Sequence, residues 1–310
     1  MSQKKRNYLF FEIIFFAVLM VSAGNAQENA QLWVTKDFSQ ETLVNKTVSV
    51  NDDSVMSILN NNARLDTAFG GGFVTGINGI LSDSVNGEQK DWFYYVNGLL
   101  ANVGALQYFP KAGDNVWWDY HRWNDAVYVA AVIGAYPQPF LSGISGKVEP
   151  TIIIVSPRLI DTARALQQSL KDQNIAVVDV AEYTPQAVQD NQSYRILIGA
   201  WADLENDPQI KDIVKNSHKS GFFIRFDGDG LHPLDMSGNP AQALKNAAAI
   251  LAIGGGFAQI PPRWIVTGTI DEEVKKEVDL LISHSERIQF YSGAVVAGNE
   301  VVNVPVIGKK

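Results

Sequence analysis

Val116-Trp117-Trp118-Asp119-Tyr120-His121 is the stretch from which the fold is read. Successive side chains of an extended strand point to opposite faces. Val116, Trp118 and Tyr120 therefore share one face, and Trp117, Asp119 and His121 share the other. The first row is expected to be core. The second row, joined by Trp123 at the strand end, is expected to form an aromatic surface suited to a flat amphipathic ligand. A plainer reading stands beside it, in which both tryptophans cover a neighbouring domain or linker. Upstream, Asp91-Trp-Phe-Tyr-Tyr-Val-Asn-Gly-Leu-Leu100 supplies a partner strand, Trp92 to Val96, closed by an Asn97-Gly98 turn of the kind hairpins use. Tyr94 and Tyr95 must face opposite ways.

Working outward, Leu32 to Thr35, Thr47 to Val50 and Phe73 to Ile77 read as strands. Asp52, Asp53 and Ser54 cap a short helix from Val55 to Asn60. Residues 31–125 are thus expected to form a small α+β domain. Residues 126–150 include Tyr136-Pro-Gln-Pro-Phe140 and Ser142-Gly-Ile-Ser-Gly-Lys147, a Pro, Gly and Ser concentration that predicts a linker. From residue 151 the rhythm changes. Thr151 to Val155, Ala176 to Val180, Arg195 to Ile198, Phe222 to Phe226 and Trp264 to Val266 are short apolar runs, as in buried parallel sheets. Helices are predicted between them, at Asp161 to Asp172, Pro208 to Ser217, Ala241 to Ile253 and Asp271 to Ser283. The tail, Ile288 to Ile307, reads as a hairpin around Gly298-Asn299. The expected fold class is an α+β small domain followed, over 151–310, by an α/β (Rossmann-like) domain with a mainly parallel sheet.

The chain has 310 residues, 46% hydrophobic and 19% charged, with a net charge of −8. That balance argues against a nucleic-acid partner, which calls for a basic face. Lys4, Lys5 and Arg6 precede an apolar run from Leu9 to Val21, and small residues follow at Ser22 to Ala26. Residues 1–26 thus read as a signal peptide, with cleavage after Ala26 or, second, after Ala23. Glu12 inside the apolar run keeps an uncleaved, membrane-tethering anchor as the alternative. There is no cysteine, which removes a lipoprotein anchor, disulfides, zinc-thiolate sites and a cysteine nucleophile. A secreted or cell-surface bacterial protein is expected.

Asp91 to Leu100, Gly104-Ala-Leu-Gln-Tyr108 and Ala112-Gly-Asp-Asn-Val-Trp-Trp-Asp-Tyr120 together resemble the C-terminal domain of the transcobalamin and intrinsic-factor family. The Ser54-Val-Met-Ser-Ile-Leu59 helix and Gly72-Phe-Val-Thr-Gly-Ile-Asn-Gly79 sit upstream in the expected order. In eukaryotic members this domain closes over one face of cobalamin while a helical barrel holds the other. Here an α/β domain stands in place of the barrel. The resemblance implies a non-catalytic binder of cobalamin or another corrinoid, held between the two domains, with a membrane vitamin transporter as a possible partner. The alternative is a structural or adhesive surface module that binds protein or glycan.

The candidate ligand-binding residues are Tyr94, Tyr95, Asn97, Trp117, His121 and Trp123 of the small domain, with Arg158 and Trp201 at the strand ends of the α/β domain. His121 is also a possible cobalt ligand through its imidazole, against the plainer reading of a hydrogen-bonded structural histidine. Thr269 with Glu272 fits a capping box. Asp227-Gly-Asp229-Gly resembles a calcium loop but has Leu231 at the next liganding position. Gly254-Gly-Gly256 lies on the wrong side of a helix for a dinucleotide fingerprint. No serine or threonine sits in a nucleophile elbow, and no catalytic cofactor is expected.

Overall fold

The computed structural model describes residues 28–308, apart from 86, 124–128, 145, 177, 189–191, 216 and 256–259. The proposed signal segment and the boundary drawn at residue 125 lie outside the described residues. Nine short strands build the first domain: β1 (Asn29–Lys36), β2 (Glu41–Ser49), β3 (Leu65–Ala68), β4 (Phe73–Ile77), β5 (Ile80–Leu81), β6 (Asp83–Val85), β7 (Glu88–Val96), β8 (Leu99–Leu100) and β9 (Asn115–Arg122). Its main sheet runs β2-β1-β9-β7-β6, with β8 folded back on β7. Only β1 and β9 pair in parallel.

Alternation along β9 sorts its side chains as the sequence requires. Val116, Trp118 and Tyr120 join Leu32, Val34, Trp92 and Tyr94 in a core under the helix Val55–Asn62 and strand β4. Ser54 caps that helix, its side chain accepting from Ser57 N–H. The helix ends two residues beyond the expected Asn60.

The second domain carries β10 (Thr151–Val155), β11 (Val178–Glu182), β12 (Tyr194–Ala200), β13 (Ile224–Asp227), β14 (Gly230–Pro233), β15 (Ala248–Gly255), β16 (Ile260–Gly268), β17 (Gly293–Ala297) and β18 (Glu300–Val304). Seven of them form one sheet in the order β11-β10-β12-β16-β15-β17-β18. The half from β11 to β16 is parallel, and the half from β16 to β18 is antiparallel. The sheet is therefore mixed, where a mainly parallel one was expected. Two misread segments account for this. Phe222 to Phe226 supplies β13, which pairs only with β14 in a separate hairpin. Ala241 to Ile253, expected to be helical, instead contains β15, in the middle of the sheet between β16 and β17. Its run of alanines favours a helix locally. Flanked by strands and buried on both faces, those small side chains pack as a central strand.

The two faces of the large sheet are covered differently. Helices Ile160–Asp172 and Asp271–Ser283 pack on one face over Ile153, Ile196, Trp264 and Val266. The other face, with Ile154, Leu197, Leu251 and Ile265, packs in one cluster with Trp33, Phe38, Tyr95 and Trp117 of the small domain. Trp117, from the second row of β9, thus becomes interdomain core.

The segment expected to be a linker is part of that junction. Val129 to Ile133, Ala135 and Phe140 are all buried. The backbone of this segment stitches the domains: Leu100 N–H donates to Ala130 O at 3.0 Å, Val132 N–H to Gly98 O at 2.8 Å, and Gly134 N–H to Tyr291 O at 2.8 Å. At Gly134 a Cβ would come within 2.5 Å of Tyr291 N, so the close approach requires glycine. Composition rich in Pro and Gly marked irregular backbone correctly, yet here it fills an interface.

Candidate functional site

The eight sequence-derived candidates separate into three groups, five buried ones, Trp123 at the edge of the small domain, and Arg158 with Trp201 at the strand ends of the second. The five in the junction or the small domain's core are Tyr94, Tyr95, Asn97, Trp117 and His121, all buried. Tyr94 stacks on Trp118, ring centroids 5.0 Å apart, and donates its hydroxyl to Val103 O. Burial pushes its pKa well above the ordinary tyrosine value. Tyr95 is fully buried and donates to Val129 O at 2.9 Å. Asn97 takes a positive φ of 53° as the hairpin turn demands. Its amide donates to Asp114 Oδ1 and Gly143 O, both at 2.7 Å, and its Oδ1 accepts from Asn115 N–H at 2.9 Å. Those bonds use the side chain fully in holding the turn against the connecting segment.

Trp117 and His121 have no exposed surface. Trp117 Nε1 donates to Thr35 Oγ1 at 2.6 Å, and the Thr35 hydroxyl donates to Asp119. Asp119 also accepts from Phe38 N–H at 2.9 Å and Ser39 N–H at 3.3 Å, and it lies 2.7 Å from His121 Nδ1. The His121 ring is sandwiched between Phe38 and Phe93, 4.4 Å from each. Its Nε2 is buried without a partner. An imidazole enclosed in this way cannot reach a cobalt ion held in a cleft, so the expected aromatic surface and the cobalt-ligand role are both corrected. Two rings of the small domain itself enclose His121, while Trp117 belongs to the cluster shared with the second domain. Trp123 remains 37% exposed, packed edge-on to Phe93 at 5.3 Å.

Arg158 and Trp201 lie at the carboxyl ends of β10 and β12, where open α/β sheets place ligands. Trp201 begins the short helix Trp201–Leu204, and its ring stacks on Phe226 of β13 at 4.6 Å and 7°. These two rings form one wall of a cleft of about 470 Å³, also lined by Glu205, Asp227, Gly228, Asp229, Lys245 and Thr269. At Gly230 a Cβ would fall 2.4 Å from Leu244 O, so the hairpin can close on residues 244 and 245 only with glycine there. Arg158 forks between the helices on either side, its Nε donating to Asp271 at 2.7 Å and an Nη to Asp203 at 2.9 Å.

Electrostatics limit what the cleft can take. Glu205, Asp227, Asp229 and Lys245 line the cleft, and Arg225, outside the lining, lies 3.5 Å from Asp227. The Asp227 carboxyl is held below its ordinary range by the Asp229 N–H and then by His232, whose Nε2 lies 2.9 Å away. Such a wall repels phosphates and carboxylates and offers acceptors to hydroxyl groups. Thr269 does not form the expected capping box: Ala247 N–H donates to its hydroxyl at 3.2 Å, and Ile270 occupies the N-cap.

Sequence reasoning placed Trp201 and Arg158 at the strand ends, where they lie, and did not single out Phe226, because the run containing it was assigned to the main sheet. Its signal was the Asp227-Gly-Asp229-Gly turn, which marks a hairpin.

Residues 52–122 match the family profile described as Domain of unknown function (DUF4430). That region covers nearly all the residues on which the resemblance rests, from Ser54 to Tyr120. No curated protein matches the chain. Among the described residues no helix is long and apolar enough to cross a membrane.

Proposed function

We propose that the protein is an exported, non-catalytic binding protein whose ligand site is the cleft at the carboxyl edge of the large sheet, and that the ligand is a neutral glycan. The observation that carries this is the stacked Trp201–Phe226 pair, which lines an open cleft together with three carboxylates. A sugar ring presents C–H groups on one face and hydroxyls at its rim. The apolar face packs on an aromatic ring while the rim donates to carboxylates. The lining carries three acids and one lysine, and although Arg225 and His232 lie against Asp227 from outside it, Glu205 and Asp229 keep the cleft unfavourable to anionic ligands.

The resemblance in the small domain keeps a corrinoid as the second reading, for which the space between the domains is a recess of about 310 Å³ bounded by Asp37, Gln40 and Arg122 on one side and Met236 and Val306 on the other. Titration with neutral oligosaccharides, followed by tryptophan fluorescence, tests the proposal directly. Trp201→Ala is expected to abolish measurable binding while the melting temperature stays near wild type, since the ring is half-buried at an edge. Binding unaffected by Trp201→Ala, or cobalamin colour retained after desalting while sugars give no signal, would overturn the glycan reading.

A further inference from the structure

A second exposed feature lies on the small domain, remote in sequence from the glycan cleft and independent of it. The turn Phe69–Gly71 between β3 and β4 holds Phe69 90% exposed. Phe69 sits at a φ of 52°, followed by Gly70 at 69° and Gly71 at 92°. A bulky residue in the left-handed region is strained, and an aromatic ring left in water adds a second unfavourable contribution. Phe73 lies beside it, ring centroids 6.3 Å apart, and a Cβ placed on Gly72 would touch Leu106 Cδ1 at 3.7 Å. Phe73 and Leu106 are 43% and 49% exposed. Behind them Met56, Trp92, Tyr94 and Trp118 line an apolar recess of about 180 Å³. The patch is contiguous, apolar and carried on a protruding glycine turn.

The path of the chain says what covers it. Residue 28 is where the described chain begins, and Glu28 O accepts from Val50 N–H at 3.0 Å. Val50 O in turn accepts from Asp53 N–H, and the first turn of the helix Val55–Asn62 is pinned to the loop bearing Leu106, with Val55 N–H donating to Tyr108 O and Met56 N–H to Ala105 O. The N-terminal entry and the patch therefore meet at one end of the domain. Only Ser22 to Gln27 separate the apolar run Leu9 to Val21 from this end, a reach of at most about 20 Å even if fully extended. Where that run is kept as the membrane anchor, the alternative to cleavage, it holds this end of the domain and its exposed phenylalanines within that reach of the lipid surface.

We propose that Phe69, Phe73 and Leu106 form a bilayer-docking surface, inserted at the interface between headgroups and acyl chains where aromatic side chains are favoured. Docked in this way, the strained turn exchanges water for lipid.

The chain has no cysteine, so a single Phe69→Cys substitution takes one environment-sensitive fluorophore. The full chain is mixed with vesicles of phosphatidylcholine and phosphatidylglycerol containing a lipid that carries a shallow spin-label quencher. The label at residue 69 is expected to lose more than half its emission, while one at Asp161→Cys on the second domain keeps it. Adding Phe73→Ser and Leu106→Ser should reduce the quenching at residue 69 several-fold with the melting temperature unchanged. An unquenched label at residue 69 overturns the proposal whether or not the chain sediments with vesicles, as does equal quenching at both positions. A blue-shifted, unquenched label in a chain that has become dimeric would assign the patch to a second copy instead.

Discussion

Two aromatic groups in this molecule look alike in sequence and differ in what covers them. At the junction, Trp33, Phe38, Tyr95 and Trp117 share one cluster with the second domain, with Phe93 packed against it, and Trp33 packs on Phe290 with ring centroids 4.1 Å apart. At the carboxyl edge of the large sheet, Trp201 and Phe226 stack on each other and face an open cleft. Alternation along a strand tells which residues share a face. Whether that face meets solvent is decided by a partner that can lie anywhere in the chain. The comparison teaches that aromatic richness marks a surface that needs covering, and that only an uncovered one can bind.

The largest expected effect tests the closed group. Trp117 and Trp118 point to opposite faces of β9, and both are buried, in different cores. Replacing either by Ala should destabilise the protein by roughly 3–5 kcal/mol, through lost burial and an unfilled cavity. Denaturant melts of the two variants measure this. Their failures should differ in kind, because Trp117 holds the domains together. Trp117→Ala should open residues 129–144 to limited proteolysis, a segment that resists in the wild-type protein and in Trp118→Ala. A Trp117→Ala variant as stable as wild type would reopen the junction as a binding surface.

How much of this was legible follows from what each signal depends on. Strand β10 and helix Asp271–Ser283 were read to the residue, because apolar runs, acidic first turns and flanking Gly or Pro are local. The terminal hairpin around Gly298-Asn299 was read for the same reason. The strand β15 was not legible, since Ala247 to Ala252 prefers a helix until β16 and β17 flank it. For the candidate site, the rule about strand ends led to Trp201 and Arg158, which lie there. Trp117 and His121 were misplaced because nothing in a β9-like segment reveals that the first will share a cluster with Ile154, Leu197 and Ile265, or that Phe38 and Phe93 will enclose the second.

The next effect in size concerns the helix-covered face of the large sheet, where a closed core contains a charge-bearing group. Glu277 is fully buried on the helix Asp271–Ser283, and neither carboxyl oxygen has a hydrogen-bond partner. Burial pushes its pKa from 4.5 up to about 8. Below about pH 4.5 the group is neutral folded and unfolded, and burial of the charge costs nothing. As pH rises the unfolded chain ionises while the folded one stays protonated, so stability falls until about pH 8 and then levels. At pH 7 the loss is on the order of 3 kcal/mol. Glu277→Gln should recover most of it and flatten the stability profile between pH 4.5 and 8, as measured by denaturant melts across that range. A wild-type profile already flat there would mean that the carboxyl finds a partner.

The smallest effect on stability tests the open group. Arg158 is exposed and bridges Asp203, two residues from Trp201, to Asp271 at the start of the long helix. Ion pairs in solvent contribute little to folding, because screening and side-chain entropy offset the Coulomb gain. Arg158→Ala is therefore expected to leave the melting temperature where it is. Its effect should appear in binding, since the fork fixes the short helix on which the Trp201 ring is mounted, and glycan affinity should drop a few-fold. Arg158→Lys should not restore it, because an ammonium is a single point charge that cannot reproduce the planar two-sided fork. High salt applied to the wild type should mimic the substitution in the same titration. If affinity is unchanged in all three experiments, Trp201 is held by its stack on Phe226 alone, and the contrast between a packed junction and an open edge rests on the two rings.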